Sequence, residues 1–532
     1  MARSGQGRVP IGWLRPVARS GRPPTTTVGT VRSGPRIAAV MLLGVLLAQA
    51  AWILAVPPFR GMDEFDHAFR ASGVASGQWR LTDEAAGGRG LLVEVPAELA
   101  VAARGQCEDL PYIVSATCAG DGPGSTPGTV RVTTSAAGYE PGYYWVVGTA
   151  ARPFTGADSL YAMRAASALL CAVVLAIAAW CLSTWVRGPW AVVGLLAGLS
   201  PTLVYTTTVV APNGLEMAAG CCLWAALLGL GATEVATPAL VRQERRLLTA
   251  ATVAVVLLAG LRTLGPLLAL LVVACVAVLR GPRNVLAVAR RHWGRLALAV
   301  VLAGATYAAV LIWSRGNVPF SDGALNDDID ASWGQVVRWP NWVLSSIGAF
   351  PYRDQPAPLL VHLLVLIVLG TLLVAAVRRG RPAGRRAVLA ASGLSLAVPS
   401  VLVALTLADR GGAWQGRYLL PFLAGVPLLA GLVLDRVRWR TDPRDPVPQV
   451  LAVVLLAVAH VVSVVHVQRA ELARDVSAAD PGWVHPPAGA TGALMAFAWV
   501  LLGAIALAAR AFGQPAEDPG AEAEPTADVS RS

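Results

Sequence analysis

The stretch PPFRGMDEFDHAFRASGVASGQW, Pro57 to Trp79, sets Asp63, Glu64, Asp66, His67 and Arg70 just past an apolar run, Ile37 to Val56. Acids beside hydrocarbon are costly, about 2.5–3.5 kcal/mol for an ionised side chain at bilayer depth, so they default to functional candidates. Asp63, Asp66-His67 and Arg70 recur at i, i+3/i+4 and i+7, one face of a helix. Phe65, Phe69 and Val74 fall on another face, which predicts an amphipathic helix lying on the membrane with its acids aimed at a cavity. A carboxylate so placed can remove the proton of an acceptor hydroxyl, work worth about 10²–10⁴ in rate. The bland alternative is a solvated loop start whose acids pair with Arg60 or Arg70.

Three further polar clusters interrupt apolar sequence. One is the turn around Asn213 and Glu216, the second is Arg262 between two apolar half-runs, and the third joins Asp409-Arg410 to Gln415-Gly416-Arg417-Tyr418. Arg262 and Arg417 suit the neutralisation of a phosphate, because guanidinium forks match phosphate oxygens. Snorkelling to headgroups is the competing reading for both. Acids on an external loop and arginines at membrane level are compatible with one chemistry: a sugar leaves a lipid phosphate for an acceptor whose hydroxyl the acid deprotonates. The sequence holds no P-loop and no dinucleotide fingerprint.

The elements that must position these residues are transmembrane. The 532-residue chain is 55% hydrophobic and 14% charged, with a mean hydropathy of +0.57. Apolar runs of about 18 or more residues recur along it. The net charge of +11 does not argue for nucleic acid. All 43 basic residues are Arg, clustered in short loops between runs, as expected of positive charge held on one side of a bilayer. Threading those loops inward gives an all-α polytopic protein of about twelve helices: 37–56, 162–185, 189–210, 215–233, two short spans within 247–279 turning near Arg262-Thr263, then 296–313, 358–377, 387–408, 418–435, 449–467 and 489–511. The basic stretch GPRNVLAVARRHWGR reads as a cytoplasmic loop. Two large loops, 57–160 and 314–357, then face outside, and both termini lie in the cytoplasm of a plasma-membrane protein.

Leu91 to Ala103 reads as an amphipathic piece of the first loop. Trp333, Trp339 and Trp342 suit an interfacial helix in the second. Residues 1–36 carry seven Arg and no acid, and read as a disordered cytoplasmic N-terminus. Ala48-Gln49-Ala50 resembles a signal cleavage site, but the run exceeds the 7–15 residues or so of a signal peptide core, so an uncleaved anchor is expected. A transmembrane domain spans 37–511, and 512–532 reads as a disordered tail. Of seven cysteines, five lie in apolar runs, while Cys107 and Cys118 share the first external loop, where a disulfide is expected. No Cys-x-x-Cys occurs and the six histidines are scattered, so no metal motif is present and a divalent cation at the acid cluster is left open.

The motif Pro-x-x-x-x-Asp-Glu-x-x-His-x-x-Arg, Pro58 to Arg70, resembles one in the bacterial membrane family designated domain of unknown function 2142. Three more stretches resemble that family in order and spacing. They are YEPGYYWVVGTAARPFTGADSLYAMRAAS with Arg164, SPTLVYTTTVVAPNGLEMAAG, and QGRYLLP from Gln415 to Pro421. That family is similar to the GT-C superfamily of polyprenyl-phosphate-sugar glycosyltransferases. The resemblance implies a GT-C-like fold with two interfacial helices in the first external loop. It also implies a catalytic carboxylate in the opening acidic motif, here Asp63 with Glu64 beside it. Its implied partners are a polyprenyl-phosphate-linked sugar, the lipid bilayer, and an envelope glycan or lipid acceptor. Asp66, His67, Arg70, Asn213 and Glu216 would support the site or bind the acceptor; Arg262, Arg417 and Gln415 would bind phosphate. This chain departs from the pattern at Asn213, where an Asp is usual, and at Arg262, where a Lys is expected. The competing functions are a transporter or flippase for lipid-linked polymers, expected to show matched broken helices, and a non-catalytic assembly protein.

Overall fold

The computed structural model describes residues 34–84, 90–108, 122–231, 237–316, 332–351, 355–410, 414–439, 445–474 and 482–511. The N-terminal expectation for 1–33, the tail 512–532 and Cys118 lie outside them. Nearly all of this is helix. Helix α1 (Gly34–Ala55) is followed by α2 (Glu64–Ala75), strand β1 (Leu91–Pro96), α3 (Ala97–Glu108), β2 (Thr129–Thr134) and α4 (Pro141–Ala151). The bundle continues through α5 (Gly156–Ser183), α6 (Pro189–Gly198), α7 (Pro201–Thr206), α8 (Pro212–Leu228), α9 (Pro238–Leu261), α10 (Gly265–Arg280) and α11 (Pro282–Gly316). After α12 (Trp339–Ile347) and the two-residue pair β3 (Ala349–Phe350) and β4 (Gln355–Pro356) come α13 (Leu359–Arg379) and α14 (Pro382–Arg410). The chain closes with α15 (Leu420–Leu423), α16 (Gly425–Arg436), α17 (Val447–Ala473) and α18 (Ala488–Ala511).

Among the described residues, eight helical stretches are long and apolar enough to cross a membrane: α1, α5, α11, α13, α14, 416–436, α17 and α18. Two shorter apolar helices, α6 and α10, lie among them, and α9 and α10 form a hairpin where the two short spans within 247–279 are expected. The hairpin turns at Arg262, which caps α9 in extended conformation (φ −151°, ψ 153°). The centre of the bundle is α6, α8 and α16. Every residue of α6 is buried, as is all of α8 except Leu227. Helices apolar all round belong inside a bundle rather than at its rim.

Small residues let the central helices touch. A Cβ on Gly194 would stand 2.2 Å from the Pro427 carbonyl oxygen, and one on Gly198 2.1 Å from that of Ala424. This Gly-x-x-x-Gly pair is a common device where lipid supplies no hydrophobic drive and backbones must approach for dispersion. Gly198→Val is therefore expected to force α6 from α16 and destabilise the bundle by about 1–3 kcal/mol. A lowered melting temperature of the detergent-solubilised protein would register it; an unchanged one would show that the two helices can separate freely.

Two sequence expectations are corrected. Leu91–Ala103 is not one amphipathic helix: its first half is β1, paired antiparallel with β2 from Leu91↔Thr134 to Pro96↔Thr129, and only its second half enters α3. Leu91, Val93 and Val95 are buried on one face, so alternation wins over the helical reading. The stretch GPRNVLAVARRHWGR is not a loop either. From Pro282 onward it is the first two fifths of α11, broken at His292 (φ −128°, ψ 24°). There the His292 ring nitrogen meets Glu244 of α9 at 2.8 Å, beside Arg291 at 2.7 Å. The exposed Trp333 and Trp339 agree with an interfacial position, whereas Trp342 turns inward and is 6% exposed.

Candidate functional site

The turn between α1 and α2 is held from α5. Arg164, 2% exposed, donates to the carbonyls of Val56 (2.8 Å) and Pro57 (2.7 Å). It also donates to both oxygens of Glu64, at 2.9 and 2.6 Å. Glu64 accepts two further backbone N–H groups, from Gly61 (3.1 Å) and Val210 (3.2 Å). Its oxygens are thereby saturated in a buried clamp, which leaves no place for a cation shared between Asp63 and Glu64. Arg60 meets Glu471 at 3.2 Å, and Arg70 donates to the carbonyls of Gln78 (3.1 Å) and Trp79 (2.7 Å).

Helix α2 does not expose one amphipathic face. It is enclosed between α4 and the β1–β2 hairpin, with every residue but Ser72 buried. Its polar residues are used in that packing. Asp66 accepts from the Ser135 N–H at 2.7 Å, and His67 Nδ1 lies 2.7 Å from the Tyr144 hydroxyl. The anticipated polar face is thus a set of struts.

Asp63 differs from them. It caps α2 in the left-handed region (φ 56°, ψ 16°), an uncommon conformation for a non-glycine that concentrates at functional sites. Its side chain keeps 35% exposure and meets Arg417 Nη2 at 3.2 Å. Four segments far apart in sequence meet here. Glu216 Oε2 of α8 stands 3.9 Å from Arg262 Nη1. The Arg262 guanidinium lies over the Tyr418 ring at 4.7 Å, and that of Arg417 approaches the same ring at 5.5 Å. Tyr139, from the loop before α4, completes the group. Burial pushes its hydroxyl above the usual phenol range, and the field of Arg262 opposes that push. Asn213 is buried in the first turn of α8, one turn before Glu216.

A cavity of about 340 Å³ opens beside Asp63, lined by Met62, Tyr205, Trp342, Trp414, Gln415 and Arg417 among others. Three of its polar atoms, Trp414 Nε1, Gln415 Oε1 and Arg417 Nε, are buried with no hydrogen-bond partner among the described residues. Unpaired buried groups of this kind destabilise a fold unless a ligand satisfies them. Trp342 and Trp414, 6.5 Å apart, separate the cavity from an apolar recess bordered by Leu396, Pro399, Leu419 and Leu423. Leu396 is 41% exposed on α14, so the recess reaches the outer face of the bundle. Sequence reasoning missed Tyr139, Trp342 and Trp414 as site residues. The aromatic residues that flank QGRY and the Pro-x-Tyr-Tyr segment were the available signal.

Cys107 is disulfide-bonded, while Cys171, Cys181, Cys221, Cys222 and Cys275 are free thiols in the bundle. Among the described residues, no group of three or more His, Cys, Asp or Glu gathers.

No curated protein matches this sequence. Among solved structures, the apo form of ArnT from Cupriavidus metallidurans is similar at 18% identity over 87% of this chain and 76% of that one, with a TM-score of 0.44. ArnT from the same organism bound to undecaprenyl phosphate is similar at 17% identity over 88% and 77%, with a TM-score of 0.40. A family model described as predicted membrane protein (DUF2142) matches residues 46–426, and by that match the chain belongs to the DUF2142 family of membrane proteins.

Proposed function

We propose that this protein transfers a sugar from a polyprenyl-phosphate donor to a cell-envelope acceptor. The reaction would take place at the end of the bundle that carries Asp63, read as the extracytoplasmic face of the plasma membrane because the arginine-rich loops lie at the other end. The observation that carries the proposal is the Asp63–Arg417 pair, whose arginine lines a cavity parted from an apolar recess by Trp342 and Trp414. In the reaction, the acceptor oxygen bonds to the anomeric carbon and the bond from that carbon to the phosphate oxygen breaks. The polyprenyl phosphate departs with the electron pair, and Asp63 takes the acceptor proton. Arg417 and Arg262 stabilise the charge that grows on the leaving phosphate, a role suited to guanidinium groups already fixed by ring stacking. Glu216 and Tyr418 hold Arg262. Gln415 and Trp414 offer the cavity's unsatisfied polar atoms to the phosphate or the sugar hydroxyls.

The Asp63–Arg417 pair also suggests an order of events. While Arg417 neutralises Asp63, the carboxylate is a poor base. A donor phosphate that recruits Arg417 would return basicity to Asp63 only once the donor is bound. Arg417→Gln is then expected to raise the KM for the lipid donor about 10–100-fold, the loss of one charge-assisted hydrogen bond. Steady-state kinetics in proteoliposomes would measure it, and an unchanged KM would remove Arg417 from phosphate binding. The broader test is an envelope glycan profile by mass spectrometry, comparing a deletion strain with the same strain carrying wild type or Asp63→Asn. A sugar restored by wild type alone supports transfer and names the product. Restoration by both favours movement of a lipid-linked polymer instead. That second reading draws on the helix breaks at Leu199–Ser200 and at 262–264.

A further inference from the structure

At the opposite end of the bundle lies a cavity of about 370 Å³ that the proposed transfer does not use. Helix α10 runs from the Arg262 turn to Arg280, sixteen residues that span about 24 Å. Three arginines from separate elements line this second cavity: Arg280 at the end of α10, Arg381 just before α14, and Arg436 at the end of α16. Among the described residues, none that lines it is acidic. The neighbouring acid in sequence, Asp435, is turned away and accepts the N–H groups of Trp190 (3.0 Å) and Ala191 (2.9 Å) at the start of α6. Arg280 donates one Nη to the Leu228 carbonyl, while its Nε is buried without a partner among the described residues. The first turns of α11 and α14 contribute Asn284, Ala383 and Gly384 to the wall, so two helix N-termini border the same space.

Each of these features favours an anion. Three guanidinium groups around one cavity repel each other, and no acid among the described lining residues offsets that. Helix N-termini add positive partial charge and N–H groups. A phosphate matches guanidinium forks in geometry as well as sign. Merely keeping positive loops on one side of the membrane would need no cavity and no convergence from three elements. We infer that Arg280, Arg381 and Arg436 form a phosphate-binding site at the end of the bundle remote from Asp63. Two sources carry that chemistry, the headgroup of an anionic phospholipid and a soluble phosphate or pyrophosphate. The inference does not depend on the reaction proposed for the other end.

The test uses the full chain in nanodiscs. One arm holds phosphatidylcholine with a minor fraction of phosphatidylglycerol; the other holds phosphatidylcholine alone and is titrated with inorganic phosphate or pyrophosphate. Bound ligand is read by native mass spectrometry. Wild type is expected to bind one of the two probes, and Arg381→Gln/Arg436→Gln to weaken that binding at least fivefold. Both residues are exposed, and should that double variant not fold, Arg381→Gln alone is expected to show a smaller weakening of the same sign. The control Arg245→Gln/Arg246→Gln removes the same charge from the exposed start of α9 and should leave binding unchanged. Binding confined to the phosphatidylglycerol arm assigns a lipid headgroup, and binding confined to the other arm a soluble anion. The inference is overturned if wild type binds neither probe, or if the control weakens binding as much as the pocket variant does.

Discussion

Asp63→Asn should lower sugar transfer about 10²–10⁴-fold, the range set by loss of a positioned general base, while protein amount and melting temperature stay near wild type. Asn is the informative substitution because it tolerates the left-handed conformation that position 63 adopts. Alanine would add backbone strain and confuse the two effects. The Asp63–Arg417 pair is about one-third exposed on the Asp side, so its removal should cost less than the roughly 3–5 kcal/mol lost when a fully buried pair is broken. A large fall in turnover without a fall in stability is what separates a group that handles a proton from one that holds a fold. The measurement is single-turnover transfer in proteoliposomes at matched protein density. Turnover within tenfold of wild type would exclude Asp63 as the base.

The transmembrane spans were legible because a bilayer imposes one length on every crossing, and the chain repeats apolar runs of that length. The Arg262 turn was legible for the same reason: a basic loop on the wrong side would otherwise follow a single long helix. The β1–β2 hairpin was not, although LLVEVP alternates, because its partner strand is about forty residues away and nothing local marks it. The polar clusters at Asp63, Glu216, Arg262 and Arg417 were visible as expensive residues, but their meeting at one point depends on how α2, α8, α9 and the 416–419 turn pack. Least legible was the division of labour within the acidic motif. Asp63 caps α2 in the left-handed region while Glu64 opens the helix, so the two carboxylates part, one to Arg417 and one to Arg164. Which of them faces inward depends on Arg164, a hundred residues downstream.

That division makes the opposite prediction for Glu64. Glu64→Gln leaves the Arg164 guanidinium buried beside a neutral amide, and breaking a buried pair on one side typically destabilises by about 3–5 kcal/mol. Arg164→Gln should be worse, because Arg164 also satisfies the Val56 and Pro57 carbonyls, which follow the negative end of α1. It would leave the Glu64 charge and two backbone acceptors without their donor. The double variant Glu64→Gln/Arg164→Gln restores charge balance and should lose less than the sum of the two single changes, as residues in one network do not add. Folded yield and unfolding midpoint in detergent would rank the variants: wild type highest, then Glu64→Gln, then Arg164→Gln. The discriminating outcome concerns Glu64. If Glu64→Gln melts with wild type yet loses transfer, the clamp is not structural and the second acid belongs to the chemistry after all. If it loses stability while the surviving folded fraction still transfers sugar, the motif pairs one acid that works with one acid that holds it in place. Asp63 then owes its exposed, left-handed position to the buried charge of its neighbour.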